Sequence, residues 1–275
     1  MRFDFIPLRL DFTAQDTLYY PPGKAANILR GAFGIALKRI APAAEYARIF
    51  EPRGAAGPSG LADPPRPFVF RARALDGVTV RPGEAFHLHL NLFSLDRGVR
   101  DLIVRALAEA AREGIGPGRG RAELQDASGE MLSLDLAPCN AAPSRIQVEF
   151  LSPTELKHEQ RVIDRPEFGI LFARTRDRVS ALRSLYGAGP LDIDFAEMGA
   201  RAAAVRMVAC ELHPVDVERR STRTGQSHSI GGFVGRATYE GDLAEFLPYL
   251  EAARWTGVGR QAVWGKGEIA IRPEA

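Results

Sequence analysis

The sequence predicts an α+β chain of two tandem β-α-β-β-α-β units, each with an antiparallel sheet, at 1–138 and 145–275. Three observations predict it. One succession of alternating and helical segments runs through the first half and recurs in the second. The recurrence keeps register: Asp11-Phe12 and Leu18 return as Glu149-Phe150 and Leu156, 138 residues on, and Gly114 and Gly116 return as Gly257 and Gly259, 143 residues on. Finally, 275 residues with 45% hydrophobic and 25% charged side chains suffice for two cores of ordinary size.

The opening strand alternates through Phe3 and Phe5, is offset at Pro7, continues through Leu8, Leu10 and Phe12, and ends near Leu18. Pro21-Pro22-Gly23 interrupts it, and Ile28, Phe33, Ile35, Leu37 and Ile40 mark a helix over 24–40. Residues 51–67, rich in Pro, Gly and Ala, read as a long exposed loop. Strands follow at 68–73 and 84–93, and a helix over 96–113 carries Leu102, Ile103, Ala106, Leu107 and Ala110 on one face. A glycine-rich turn at 114–120 leads into a strand at 121–126. Residues 127–144, with Pro138 and Pro143, close the unit as a short hairpin or linker. The second half gives a strand at 145–156, an arginine-rich helix at 166–186 and strands at 201–212 and 231–240. A helix at 242–255, capped by Asp242, then precedes a glycine loop and a strand to Ile271. This order is the ferredoxin-like pattern, twice.

Formal net charge is only +2, but Lys24, Lys38, Lys157 and Lys266 are the only lysines, so arginine supplies nearly all the positive charge. Its planar fork suits phosphates and base edges; GC-rich coding leaves the same bias. No run of about eighteen apolar residues occurs, so no membrane is expected as a partner. The start of the chain carries Asp4 and alternates like a strand, unlike a signal peptide. Cys139 and Cys210 are isolated; they fit a reducing cytoplasm and supply no structural zinc site, while a single disulfide stays open.

The sharpest local feature is Gly257-Val-Gly259-Arg260-Gln-Ala-Val-Trp264-Gly265-Lys266-Gly267. It follows a helix and precedes a strand, the reverse of both nucleotide-binding glycine fingerprints, so no nucleotide cofactor is expected. What remains is a loop whose backbone N–H groups can approach phosphates at Gly257, Gly259, Gly265 and Gly267. Arg260 and Lys266 add charge, and Trp264 adds a stacking surface. Tight packing of helix on sheet is the competing explanation. The basic segment from Glu218 to Ser229, with Arg219, Arg220, Arg223 and His228, is either an RNA-gripping arm or a solvated hairpin tip. His87 and His89 share one strand face, opposite Phe86, Leu88 and Leu90; a solvated or interdomain face is expected first and RNA contact second. His158 and His213 read as ordinary surface residues.

These segments resemble a family. Gly231-Gly232-Phe233-Val-Gly235, Tyr239-Glu-Gly241-Asp-Leu-Ala-Glu-Phe-Leu-Pro-Tyr-Leu250 and the 257–267 loop are similar to the C-terminal half of the CRISPR precursor-RNA-processing endoribonucleases of the RAMP superfamily. Leu29-Arg-Gly-Ala-Phe-Gly-Ile-Ala-Leu37, Gly60-Leu-Ala-Asp-Pro-Pro-Arg-Pro67 and Phe150-Leu-Ser-Pro-Thr-Glu-Leu156 resemble its other landmarks, so the likeness spans nearly the whole chain. The resemblance implies metal-independent cleavage within a repeat RNA, in which the 2′-hydroxyl attacks the adjacent phosphate and leaves a 2′,3′-cyclic phosphate. It implies repeat RNA as the partner and neither metal nor other cofactor. Histidine suits the proton transfers. The sequence departs from the family by lacking any histidine before His87, by placing Thr256 where relatives carry a histidine before the glycine loop, and by lacking a cysteine cluster after the first helix. His228 is therefore the expected catalytic histidine. Tyr20, with Tyr19 beside it, is expected to hold the 2′-hydroxyl, and Lys24 to stabilise the phosphorane. The alternative is a catalytically inactive RAMP-type subunit that binds repeat RNA among other subunits of an effector complex. A small-molecule enzyme is a third class, for which the sequence offers no compact group of acids and histidines.

Overall fold

The computed structural model describes residues 1–52, 64–159, 161–216, 218–220, 227–229 and 231–274. The first unit comprises β1 (Arg2–Ala14), β2 (Leu18–Tyr19), α1 (Ala25–Ile40), α2 (Ala43–Phe50), β3 (Phe68–Arg71), β4 (Thr79–Val80), β5 (Ala85–Leu92), α3 (Arg97–Glu113), β6 (Ala122–Ser128) and β7 (Leu132–Asp135). The second comprises β8 (Arg145–Thr154), β9 (Leu156–His158), β10 (Arg161–Ile163), α4 (Phe168–Tyr186), α5 (Phe195–Ala204), β11 (Arg206–Val215), β12 (Glu218–Arg220), β13 (Ser227–Ser229), β14 (Gly232–Glu240), α6 (Leu247–Thr256) and β15 (Ile269–Pro273). The sheets run β3-β5-β1-β6 and β11-β14-β8-β15, antiparallel throughout. In both, the first long strand lies between the third and the fourth. The chain is two tandem ferredoxin-like units.

β1 shows how the sequence sets this up. Leu8, Leu10 and Phe12 face the helices α1 and α3, while Phe3 and Phe5 point out of the other face of the sheet. Pro7 has no N–H to give, and opposite it the partner strand is broken. β6 pairs Arg9 with Ser128, and β7 resumes the same register at Phe5 and Leu132. Residues 127–135 therefore continue β6 along β1 where a short hairpin or linker was expected over 127–144.

Three other boundaries differ from expectation. Asp194 accepts from the N–H groups of Ala196 and Glu197 at 2.9 Å and starts α5, so residues 201–204 are helix where a strand was expected. Asp242 accepts from Ala244 at 3.3 Å within a turn, and α6 begins five residues later at Leu247. Pro42 precedes a short helix, α2, that has no counterpart among the expected elements and ends just before the expected loop; 53–63 of that loop lie outside the described residues.

The outward face of the first sheet does not meet solvent along its whole length. Phe3, Phe5, Val69 and Phe93 join a cluster with Phe168, Phe172, Phe246 and Leu250 of the second unit, and the Phe5 ring lies 4.9 Å from that of Trp255. Helices α4 and α6 are thus covered by their own sheet on one side and by the first sheet on the other. Beyond this contact the same face turns polar, with Arg9 and Asp11 on β1 and His87 and His89 on β5. Among the described residues no helix is long and apolar enough to cross a membrane.

Burial also fixes how the fold responds to alkali. The Tyr186 and Tyr249 phenols are pushed up to about 12 by burial, and burial raises Tyr20 and Tyr239 further. Unfolded phenols release their protons near pH ~10. The stability these groups contribute is therefore full below that pH and lost as pH rises through about 12. Buried Arg71 and Arg178, lowered to about 10, act in the opposite sense but are fewer. Equilibrium unfolding in urea from pH 8 to 12 should show a falling midpoint. Tyr249→Phe should flatten that fall.

Candidate nucleic-acid interface

The glycine loop closes onto both units. Gly257, Gly259, Gly265 and Gly267 all have φ near +70°, a region in which side-chain-bearing residues are strained. Their N–H groups are largely taken: Gly257 donates to the Ala253 carbonyl at 2.8 Å, Gly265 to Ala262 at 2.9 Å and Gly267 to Pro153 at 3.1 Å. A Cβ at Gly259 would overlap the Glu155 carbonyl, and one at Gly265 would lie 2.7 Å from Ala26 of α1. The expectation of open amides cradling phosphate is corrected for Gly257, Gly265 and Gly267. These glycines let the loop pack between β8 and α1.

Its side chains follow suit. Lys266 is only 4% exposed; burial lowers its pKa, while the nearby Asp76 carboxylate favours its charge. Asp76 in turn accepts from the Ala25 N–H at 2.9 Å, capping α1 from a distant loop in place of Lys24, whose side chain makes no cap. Burial raises the Asp76 carboxyl, against the pull of that N–H and of Lys266. Lys266 is therefore buried, which corrects its expected place on an RNA-facing surface. Trp264 is occupied as well: the Arg30 guanidinium stands 4.8 Å from its ring and 4.4 Å from that of Phe50. Arg260 remains exposed and pairs with Glu155.

At the start of α1 the two tyrosines part company. Tyr20 is fully buried, its hydroxyl has no hydrogen-bond partner among the described residues, and burial raises its pKa. It packs against Phe86, with ring centroids 6.3 Å apart. Its expected contact with a 2′-hydroxyl is corrected. Tyr19 and Lys24 beside it are exposed.

The basic segment of the second unit forms a two-stranded ribbon, β12–β13, continuing from the ends of β11 and β14, with Arg219 opposite His228 in the ladder and Arg220 opposite Ser227. Arg223 lies outside the described residues. At the base of this ribbon a groove of about 460 Å³ crosses the outward face of the second sheet, lined by Arg73, Glu149, Glu211, His213, Val234 and Arg236. Arg236 pairs with Glu211 at 2.6 Å, Arg272 with Glu149 at 3.0 Å and Arg73 with Glu268 at 3.7 Å. His213 reads from sequence as an ordinary surface residue. Its alternation with Glu211 along one strand is the signal that puts both on this face.

Between the units, the C-terminal end of α6 is gripped by arginines. Arg71 donates to the carbonyls of Arg254 and Trp255 at 2.8 and 2.9 Å, Asn91 to Trp255 at 2.8 Å and Arg178 to Thr256 at 2.9 Å. These carbonyls are the negative end of the helix dipole and lack intrahelical partners. Thr256 is fully buried, its hydroxyl donating to the Gly257 carbonyl at 3.0 Å.

Residues 148–269 match the family described as CRISPR-associated endoribonuclease Cas6, and residues 3–135 match the AF_1859_N N-terminal domain. Over 148–269 the second unit is similar to the Cas6 endoribonucleases. The matched segment runs from β8 to the start of β15 and contains the glycine loop, the β12–β13 ribbon and most of the groove beside His213. Solved Cas6 structures share its fold. A Cas6 product complex is 19% identical, with 98% of this chain and 99% of that one covered and a TM-score of 0.66. Thermus thermophilus Cas6 is 16% identical, with 99% of each chain covered and a TM-score of 0.58. A partial Cas6-RT-Cas1–Cas2 complex is 12% identical over 99% of this chain and 46% of that one, at a TM-score of 0.61. A search of curated protein sequences finds no match.

Proposed function

We propose that this protein binds CRISPR precursor RNA and cuts it within the repeats. The 2′-hydroxyl attacks the neighbouring phosphate without a metal ion, leaving a 2′,3′-cyclic phosphate and a 5′-hydroxyl. The observation that carries the proposal is the Cas6 endoribonuclease match over 148–269, in a chain that shares its two-unit fold with a Cas6 bound to its product. The surface chemistry supports it. Arg236, Arg260 and Arg272 are exposed and paired with single carboxylates. Such surface pairs contribute only about 0–1 kcal/mol each, so phosphates can take the place of the carboxylates at little cost. The RNA is read as crossing from Lys24 at the head of α1, past Arg73 and Arg260, to the β12–β13 ribbon, whose strands carry Arg219, Arg220 and His228.

Incubation with repeat RNA in EDTA tests the nuclease reading. One cut ending in a cyclic phosphate, blocked by a 2′-deoxy substitution at the cleaved nucleotide, is expected; failure to bind the repeat at moderate salt sinks the proposal. Lys24→Ala should weaken binding and lower the slope of log affinity against log salt by about 1, as loss of one phosphate contact does. A second reading, an RNA-binding subunit that does not cut, is favoured by one observation: Tyr20 is buried where a substrate-facing hydroxyl was expected. Binding without cleavage would establish it.

A further inference from the structure

Proton transfer in such a cleavage needs two groups on one scissile phosphate, a base for the 2′-hydroxyl and an acid for the departing 5′-oxygen. The first sheet holds two. His87 and His89, two residues apart on β5, point from the same face with ring centroids 5.0 Å apart. Among the described residues neither imidazole is held in a hydrogen bond or an ion pair. His87 is exposed and His89 half-buried.

The charged groups around the pair come from both neighbouring strands. On β1, Asp11 stands opposite His87 and Arg9 opposite His89; on β3, Arg71 stands opposite His89. Arg9 bonds Asp11 through Nε at 3.0 Å and approaches it at 2.8 Å through Nη2, half-exposed, where a phosphate can draw it away. The next outward residue along β5 is Asn91, which donates to the Trp255 carbonyl. The histidines thus stand where the first sheet emerges from beneath α6, at the edge of the interdomain seam.

We propose that His87 and His89 are the acid and base of RNA cleavage, with Arg9 on the scissile phosphate; this rests on the nuclease reading above. His89 takes the proton of the 2′-hydroxyl. The 2′-oxygen forms its bond to phosphorus as the bond to the 5′-oxygen breaks, and protonated His87 delivers its proton to that leaving oxygen. The products are a 2′,3′-cyclic phosphate and a 5′-hydroxyl, and exchange with water restores both histidines. The assignment of His89 as base agrees with its surroundings: burial, then His87 and Arg9, lower its pKa against the pull of Asp11, which favours the neutral imidazole that a base needs.

The test uses the full chain, repeat RNA and EDTA, with single-turnover rates from pH 5 to 9. His87→Ala and His89→Ala should each slow cleavage by about 100-fold or more, with affinity for the 2′-deoxy repeat unchanged. The unsubstituted protein should show a bell-shaped profile whose acidic limb disappears in His89→Ala. His87→Asn and His89→Asn, which keep size and hydrogen bonding without proton transfer, should be equally slow, separating chemistry from folding. His158→Ala, at an exposed histidine away from the proposed site, should retain cleavage. If the unsubstituted chain cuts and the His87 and His89 variants cut at the same rate, this assignment falls and the nuclease reading stands. If the unsubstituted chain binds without cutting, both fall.

Discussion

Replacing Gly267 with alanine should destabilise the protein by roughly 3–5 kcal/mol, the upper end of single-residue effects, because strain and overlap coincide there. Gly267 sits at φ +69°, and a Cβ would run into the carbonyl oxygen of Val258, with the Val258 carbonyl carbon and nitrogen at 2.9 Å. Backbone movement cannot relieve this cheaply. The Gly267 carbonyl accepts from Val258, and its N–H donates to Pro153 on β8, so the residue is fixed from two sides. Urea unfolding followed by circular dichroism gives the value. Gly118→Ala is the control: no atom lies within 4 Å of the added carbon and φ is not positive, so stability should hold or rise slightly. Equal stability of the two variants would mean that the loop does not have the packing described.

Phe5→Ala is expected to cost about 3–5 kcal/mol, as deletion of a buried aromatic ring does. The side chain is fully buried and touches Phe3, Phe93 and Trp255, at ring separations of 5.9, 6.4 and 4.9 Å. What distinguishes it from an ordinary core residue is that the cluster belongs to both units. Trp255 and Trp264, the only tryptophans, both lie in the second unit. Their fluorescence should report the loss although the substitution is in the first. A tryptophan transition that ignores Phe5→Ala would show that the units unfold independently and that the shared cluster adds nothing.

Much of this fold is legible in the sequence because both sheets follow local alternation. Phe3 through Phe12 announces β1, and the constant offset to Glu149 and Phe150 announces its counterpart β8. What the sequence conceals depends on distant partners. Alanine-rich 201–204 reads as the start of a strand until Asp194 is seen capping a helix ten residues long. Tyr19 and Tyr20 look alike as letters; only the pairing of Tyr19 with Thr79 shows which one faces solvent. Lys266 resembles an RNA contact because no local rule reveals its burial or the Asp76 carboxylate that favours its charge from the other unit. The pairing of His87 with His89 on one face is visible from spacing alone, whereas their position beside α6 is not.

The arginine grip on the end of α6 has a consequence for how a partner is admitted. Arg71, Asn91 and Arg178 tie the last carbonyls of that helix to β3, β5 and α4 at a mostly part-buried site, so tilting one unit against the other would break several hydrogen bonds at once. The seam between the units then holds one set geometry and does not open as a jaw would. Under the proposed function, the work of fitting falls on the RNA, and a strand already folded to the right calibre enters with less ordering left to do.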